Sequence, residues 1–364
     1  MKKILLASTA IVGFAGAASA AEITLSGYAE VGIAGGEAVE TQFHNDWQVN
    51  FNFSGSTDNG LEFGGKVQIE ESNSPYSING GLRIDDEAFW VSGAFGKVTL
   101  GETDGAFDWA LSEIYTGTGL QDDHSTHAGA YWFTGLDGGY DNQIARYEYS
   151  FGDFAVAVSA EMDDGRTSGF STSTVTATTS GGATFNTTII TPTSGFTSGR
   201  ATGDTTWSIG GKWSGNMSGV DLGVGIGYQD NGTNSVWGLS GSAGFSNGFS
   251  VALGYADLDG TGDAVTGDGV NPAVDSWWGI GVAYTPATMS ALTIGVNYGV
   301  YEAATAGDDD PSGWGIVANY DLGGGAVAMA SYGASSGSDS TGADYGSGNG
   351  NGTETFSIGL GLSF

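Results

Sequence analysis

The chain has 364 residues, with 41 acidic and 9 basic side chains, a formal net charge of −32, 66 glycines, 5 prolines and no cysteine. That charge excludes nucleic acid as a partner, because a polyanion would be repelled. The lack of cysteine excludes a disulfide framework, thiol catalysis and Cys-ligated metal. The glycines follow no three-residue period, so the chain is not collagen-like.

Lys2 and Lys3 give a basic start, Ile4 to Ala18 is an apolar run too short to span a bilayer, and Ala18, Ser19 and Ala20 are small residues of the A-x-A type. This pattern predicts a secretory signal peptide over 1–20 and an exported mature chain over 21–364. No other stretch approaches the roughly 18 apolar residues that a transmembrane helix needs.

From Glu22 onward the chain alternates. Sixteen segments show the two-residue period of a strand: 22–33, 46–54, 60–71, 83–93, 97–103, 142–151, 154–162, 205–214, 220–230, 235–245, 249–258, 275–285, 291–301, 312–321, 326–333 and 354–364. Connections alternate too. Those near Gly55–Asn59, Ala94–Gly96, Gly152–Asp153, Ser246–Gly248 and Leu322–Gly325 are short, and most of the others are long, the longest being 104–141 and 163–204. An even strand number with both ends on the short-turn side lets the first and last strands pair and close the sheet, which lipid requires.

One face is apolar and the other small or polar. Trp47, Val49, Phe51 and Phe53 oppose Gln48, Asn50 and Asn52; Leu292, Ile294, Val296 and Tyr298 oppose Thr293, Gly295 and Asn297. Periodicity alone leaves a soluble barrel with an apolar interior open. Aromatic placement argues for membrane instead. Phe53, Phe151, Phe154, Phe245, Phe249 and Phe364 sit by short turns, while Trp207, Tyr228, Trp237, Tyr255, Trp278, Tyr298 and Trp314 sit by long loops, as two lipid–water interfaces would select. The expected fold is therefore all-β, a 16-stranded antiparallel transmembrane β-barrel with short periplasmic turns and long extracellular loops.

The last segment alternates without a fault: Phe356, Ile358, Leu360, Leu362 and Phe364 take one side, and Thr355, Ser357, Gly359, Gly361 and Ser363 the other. It resembles the C-terminal insertion signal of bacterial outer-membrane barrels. With the passage Gly96 to Asp108 and the long third outer loop, the whole mature chain resembles general diffusion porins, closest to the alphaproteobacterial branch. The resemblance implies a trimer in the Gram-negative outer membrane, in contact with lipid and lipopolysaccharide and passing small hydrophilic solutes and cations. It also implies a third loop folded into the lumen, where loop acids face basic groups on the wall.

Carried onto this chain, loop three is 104–141, and its constriction acids are Asp104, Asp108, Glu113, Asp122 and Asp123, with Asp137 and Asp141 further along. Alternation places Lys66, Arg146, Glu148 and Lys212 on the wall facing the lumen. Arg83 also belongs to the wall, although alternation fails across Arg83 to Ala88 and leaves its direction open. This chain departs from the arginine-rich wall of the family, because Asp85, Asp86 and Glu87 crowd the fourth strand. A more uniformly negative, cation-preferring pore is the expectation.

Other chemistry finds little support. His44, His124 and His127 fall in predicted loops, which disfavours a Ser-His-Asp site on a strand, and His124 with His127 lacks a further matched ligand set. No enzyme, no cofactor and no fixed metal are expected. Asp257, Asp259, Asp263 and Asp268, read as an outer loop, lack EF-hand spacing and could hold at most a weakly bound Ca²⁺. The Ser/Thr-rich 163–204 reads as a mobile surface loop. The alternatives are a substrate-selective channel, which would line its lumen with more aromatics than Tyr28 and Trp277, and a secreted calcium-binding β protein or adhesin, whose nine-residue repeat is missing.

Overall fold

A computed structural model describes residues 22–37, 40–71, 82–115, 117, 119–120, 135–137, 143–162, 166–178, 184–196, 205–259, 274–304, 310, 312–336 and 354–364. The strands are β1 (Glu22–Gly36), β2 (Gln42–Ser56), β3 (Glu62–Glu71), β4 (Leu82–Gly93), β5 (Gly96–Glu102), β6 (Gln143–Phe151), β7 (Phe154–Glu161), β8 (Arg166–Thr178), β9 (Thr184–Phe196), β10 (Thr206–Met217), β11 (Val220–Asp230), β12 (Ser235–Phe245), β13 (Phe249–Asp259), β14 (Val274–Tyr284), β15 (Leu292–Ala303), β16 (Ser312–Gly323), β17 (Ala326–Ser336) and β18 (Glu354–Ser363). One short helix, α1 (Ala106–Ala110), follows β5.

All strands except β8 and β9 pair antiparallel in one closed ring, in which β7 neighbours β10 and β1 neighbours β18. Closure runs from Tyr28 opposite Ser363 to Gly36 opposite Thr355. Every backbone edge of the ring is thus paired, the condition for standing in hydrocarbon. The sixteen predicted segments are the sixteen barrel strands. Short turns have the chemistry they need: between β10 and β11, Ser218 and Gly219 both adopt positive φ (54° and 86°), the geometry of a two-residue hairpin that follows strand twist.

Three expectations are corrected. The segment 163–204 contains β8 and β9, paired from Arg166–Phe196 to Thr178–Thr184 as a separate two-stranded sheet. Its Thr, Val and Ile residues are strand formers, and the Ser/Thr-rich composition hid that. His44 lies within β2 and not in a loop, and Asp257 and Asp259 belong to the end of β13. His124, His127, Asp263 and Asp268 lie outside the described residues.

The failed alternation on β4 has a structural cause. The register between β3 and β4 shifts between Lys66 and Gln68, and Asp86 stands at φ 53°. A left-handed non-glycine residue costs roughly 1–2 kcal/mol. Here the Asp86 N–H donates to Glu102 Oε2 at 3.0 Å, and its carboxylate accepts from Lys66 Nζ, which offsets the cost.

The apolar face points outward. Leu239, Leu253, Ile280, Val296, Ile316 and Ile358 are exposed, whereas Ser208, Gln229, Ser240, Asn297, Thr355 and Ser357 on the opposite face are buried. One outward Trp or Tyr per strand forms a chain of ring contacts: Trp207–Tyr228 at 5.4 Å, Trp237–Tyr255 at 5.3 Å, Trp278–Tyr298 at 5.6 Å and Trp314–Tyr332 at 5.6 Å. The pairs are stitched by the register, with Tyr228 opposite Trp237, Tyr255 opposite Trp278 and Tyr298 opposite Trp314. A belt of alternating Trp and Tyr thus covers the long-loop rim from β10 to β17, the placement expected at a membrane interface.

Candidate functional site: the third loop and the inner wall

Loop three leaves β5 at Glu102 and enters the barrel at once. Gly105 precedes α1, whose first N–H groups have no partner within the helix. The wall supplies acceptors: Ala106 N donates to Ser159 Oγ on β7 and Ser208 Oγ on β10, both at 2.9 Å, and Phe107 N donates to Ser208 Oγ at 3.2 Å. Further on, Ser112 N donates to Ser240 Oγ on β12 at 2.9 Å, and Leu120 N donates to Ser357 Oγ on β18 at 3.0 Å. One short segment that touches strands from β7 round to β18 can do so only from inside the ring. This contact path, independent of composition, identifies the small, polar face as the interior.

Glycines make room along the same path. A Cβ on Gly210 or Gly225 would meet α1 backbone, one on Gly227 or Gly238 would meet Phe107, and one on Gly281 would fall on the Ile114 carbonyl. Between these points lies an apolar core. Phe107, Ile114 and Leu136 of loop three pack with Val236, Ala256, Leu258, Val274, Trp277 and Tyr301 of the wall, and Leu111 lies against them. Trp277, expected as a lumen-facing exception, is fully buried in this core. The loop is a packed element with its own hydrophobic face and hydrogen-bond seats.

Its two ends are tied together. Asp137 Oδ2 accepts from Gly105 N at 2.7 Å, Asp137 Oδ1 accepts from Gln229 Nε2, and Gln229 Oε1 accepts from Leu136 N at 2.6 Å. Burial pushes the Asp137 carboxyl up to about 7, against the lowering effect of those two donors. Burial, reinforced by neighbouring carboxylates, also holds Asp108 and Glu113 well above the usual carboxylate range.

The expected site residues divide into groups. Asp104 has a side chain 64% exposed and is the water-facing acid of the described loop, while Asp108 and Glu113 are half-buried between loop and wall. Asp122, Asp123 and Asp141 lie outside the described residues, as does the side chain of Arg83. On the wall, Lys66 pairs with Asp86 at 2.5 Å, and both keep exposure (37% and 46%). Glu148 receives Lys97 at 3.0 Å and stands 3.8 Å from Arg146 Nε. Arg146 and Lys212 reach loop backbone: Arg146 Nη1 donates to the Asp104 carbonyl, and Lys212 Nζ to the Trp109 carbonyl at 2.7 Å.

Sequence reasoning missed the seats Ser159, Ser208, Gln229, Ser240 and Ser357 and the packing residues Phe107, Ile114 and Leu120. One signal was available. Trp277 and Trp278 are adjacent on a strand and cannot both face lipid, so one must be covered from inside.

A closed sixteen-stranded barrel, apolar outside and carrying a loop packed on its inner wall, defines the class of outer-membrane channel proteins. The chain belongs to the Gram-negative porin family, whose model matches residues 7–362. A porin of Rhodobacter capsulatus is 35% identical over 149 residues, which are 40% of this chain and 46% of that relative, so the match spans about half of its length. A porin structure refined at 1.8 Å superposes with TM-score 0.62 and 24% identity, over 94% of this chain and 100% of that one. A triple mutant of Rhodopseudomonas blastica porin gives 0.58 and 19% over the same shares. These two likenesses establish the fold. The protein is a multi-pass β-barrel of the Gram-negative outer membrane and an alphaproteobacterial type of porin.

Proposed function

We propose that the barrel is a water-filled channel for passive diffusion of small hydrophilic solutes and ions, narrowed by loop three and preferring cations. The observation that carries the reading is the path of loop three, bonded to the inner wall from β7 to β18. A sixteen-stranded ring is wide enough to leave an aqueous passage beside it. The exposed Lys66, Asp86 and Asp104 side chains border that passage.

Cation preference is supported by how the basic groups are used. Lys66 and Lys97 are each held by a carboxylate, Arg146 lies between Glu148 and the loop, and Lys212 is held by a carbonyl. The excess acids then set the sign of the field that concentrates counter-ions. Asp104 is the main contributor from the described loop, because burial favours the neutral forms of Asp108 and Glu113. Asp122 and Asp123 would add to it, and Arg83 would oppose it. As a porin the chain would act by passive diffusion and without catalysis.

Residues 1–20 would act as the export signal, with Phe356, Ile358, Leu360, Leu362 and Phe364 as the barrel-insertion signal. We further infer a homotrimer. The Trp–Tyr ring contacts run from β10 to β17, whereas β1 to β5, apart from Trp47 on β2, expose Val31, Ile33, Phe43, Ile84 and Leu100, a surface better matched to protein than to headgroups.

Swelling of liposomes loaded with the purified protein, in sugars of graded size, tests the channel. Fast entry of monosaccharides with a fall for larger sugars is expected; swelling no faster than in protein-free liposomes contradicts the reading.

A further inference from the structure

We propose that Arg146 and Lys212 are positioning residues that clamp the start of loop three, and are not free charges lining the pore; this rests on the channel reading above. Basic wall groups that face loop acids across water would be exposed and would point at carboxylates. The Arg146 side chain is 8% exposed, and its Nη1 donates to the main-chain oxygen of Asp104, the residue that leads into α1. The Asp104 carboxylate stays 3.9 Å from that nitrogen and mostly in water.

Lys212 acts at the other end of α1. Its Nζ donates to the Trp109 carbonyl at 2.7 Å and lies 3.7 Å from the centre of the Trp109 ring. The last carbonyls of a helix lack intrahelical partners and carry the negative end of its dipole, so a cation there satisfies both. The ring face adds a cation–π contact. Meanwhile Ser159 and Ser208 satisfy the first N–H groups of α1. Both ends of this single turn are therefore held by the wall: its entry by β6, its donors by β7 and β10, and the Trp109 carbonyl of its last turn by β10. A five-residue helix has too few internal bonds to stand alone, and wall contacts must hold it.

The test compares R146M, K212M and their double variant with the charge-preserving K212R, using single-channel recording in planar bilayers, sugar swelling, and proteolysis within 104–141. A clamp predicts that the methionine variants gain open-channel noise, lose the sharp sugar cut-off and become cleavable in loop three, with K212R close to the parent. Methionine variants that keep the parent's noise, cut-off and protease resistance, and shift only the reversal potential, would overturn the proposal. Folding is checked by SDS-resistant migration, and if the double variant fails that check, K212M alone carries the comparison. A parent protein that shows no openings removes the channel reading itself, and this proposal with it.

Discussion

Asp137, near the far end of loop three, ties Gly105 at the loop's start to Gln229 on β11, and its proton equilibrium is displaced from the ordinary carboxylate range to about 7 by burial. Because the folded chain holds this proton more tightly than the unfolded chain, its contribution favours folding at acid pH and declines as pH rises from the unfolded value toward 7. Asp108 and Glu113 are displaced in the same direction. Loop three therefore gains negative charge around neutrality and not only near the usual carboxylate range. The prediction is that K⁺ over Cl⁻ preference falls as pH is lowered from about 8 to about 5, with part of the titration removed in D137N. Reversal potentials measured across that range check it; a preference flat down to the ordinary carboxylate range would contradict it. A second prediction concerns Gly281, where any Cβ falls on the Ile114 carbonyl. G281V should overpack the seat at a cost of about 1–3 kcal/mol and push the loop toward the lumen, lowering single-channel conductance.

At the scale of elements, loop three is docked by a hydrophobic core. Phe107 is fully buried in it. F107A should weaken the docking by about 3–5 kcal/mol, seen as greater conductance noise, while strand pairing and heat-modifiable migration persist. On the opposite face, Leu253 is 52% exposed in the middle of β13. L253R should cost about 2–4 kcal/mol in lipid, measured by denaturant titration in vesicles. The barrel strands were legible in the sequence because the two-residue period is local and each apolar side chain reports one face. Loop three was less legible. Its seats lie far away along the chain, as Ala106 with Ser208 and Leu120 with Ser357 show, and a serine or glycine on the inner face reads the same whether it meets water or backbone. Alternation put Arg146 and Lys212 on the small, polar side of their strands, but it could not show that their heads turn to carbonyls. The β8–β9 ribbon was hidden by composition, since threonine-rich segments serve loops and strands alike.

For the molecule as a whole, the ring of strands and the acid excess act together. In the proposed channel the barrel would supply the passage and loop three would narrow it, while Lys66, Lys97, Arg146 and Lys212 are held by carboxylates or carbonyls. Long-range attraction of cations should weaken with salt, because exposed charges are screened over about 8 Å at physiological ionic strength. The belt gap on β1 to β5 belongs to this scale as well: L100R should release monomers on unheated SDS gels, whereas I280R, facing the belted side, should leave the oligomer intact. A passage whose fixed charge is negative would favour cations over anions. Its most direct test is the reversal potential of the purified channel under a KCl gradient at neutral pH. A negative passage gives discrete openings with K⁺ preferred over Cl⁻; openings that prefer Cl⁻ would rule it out.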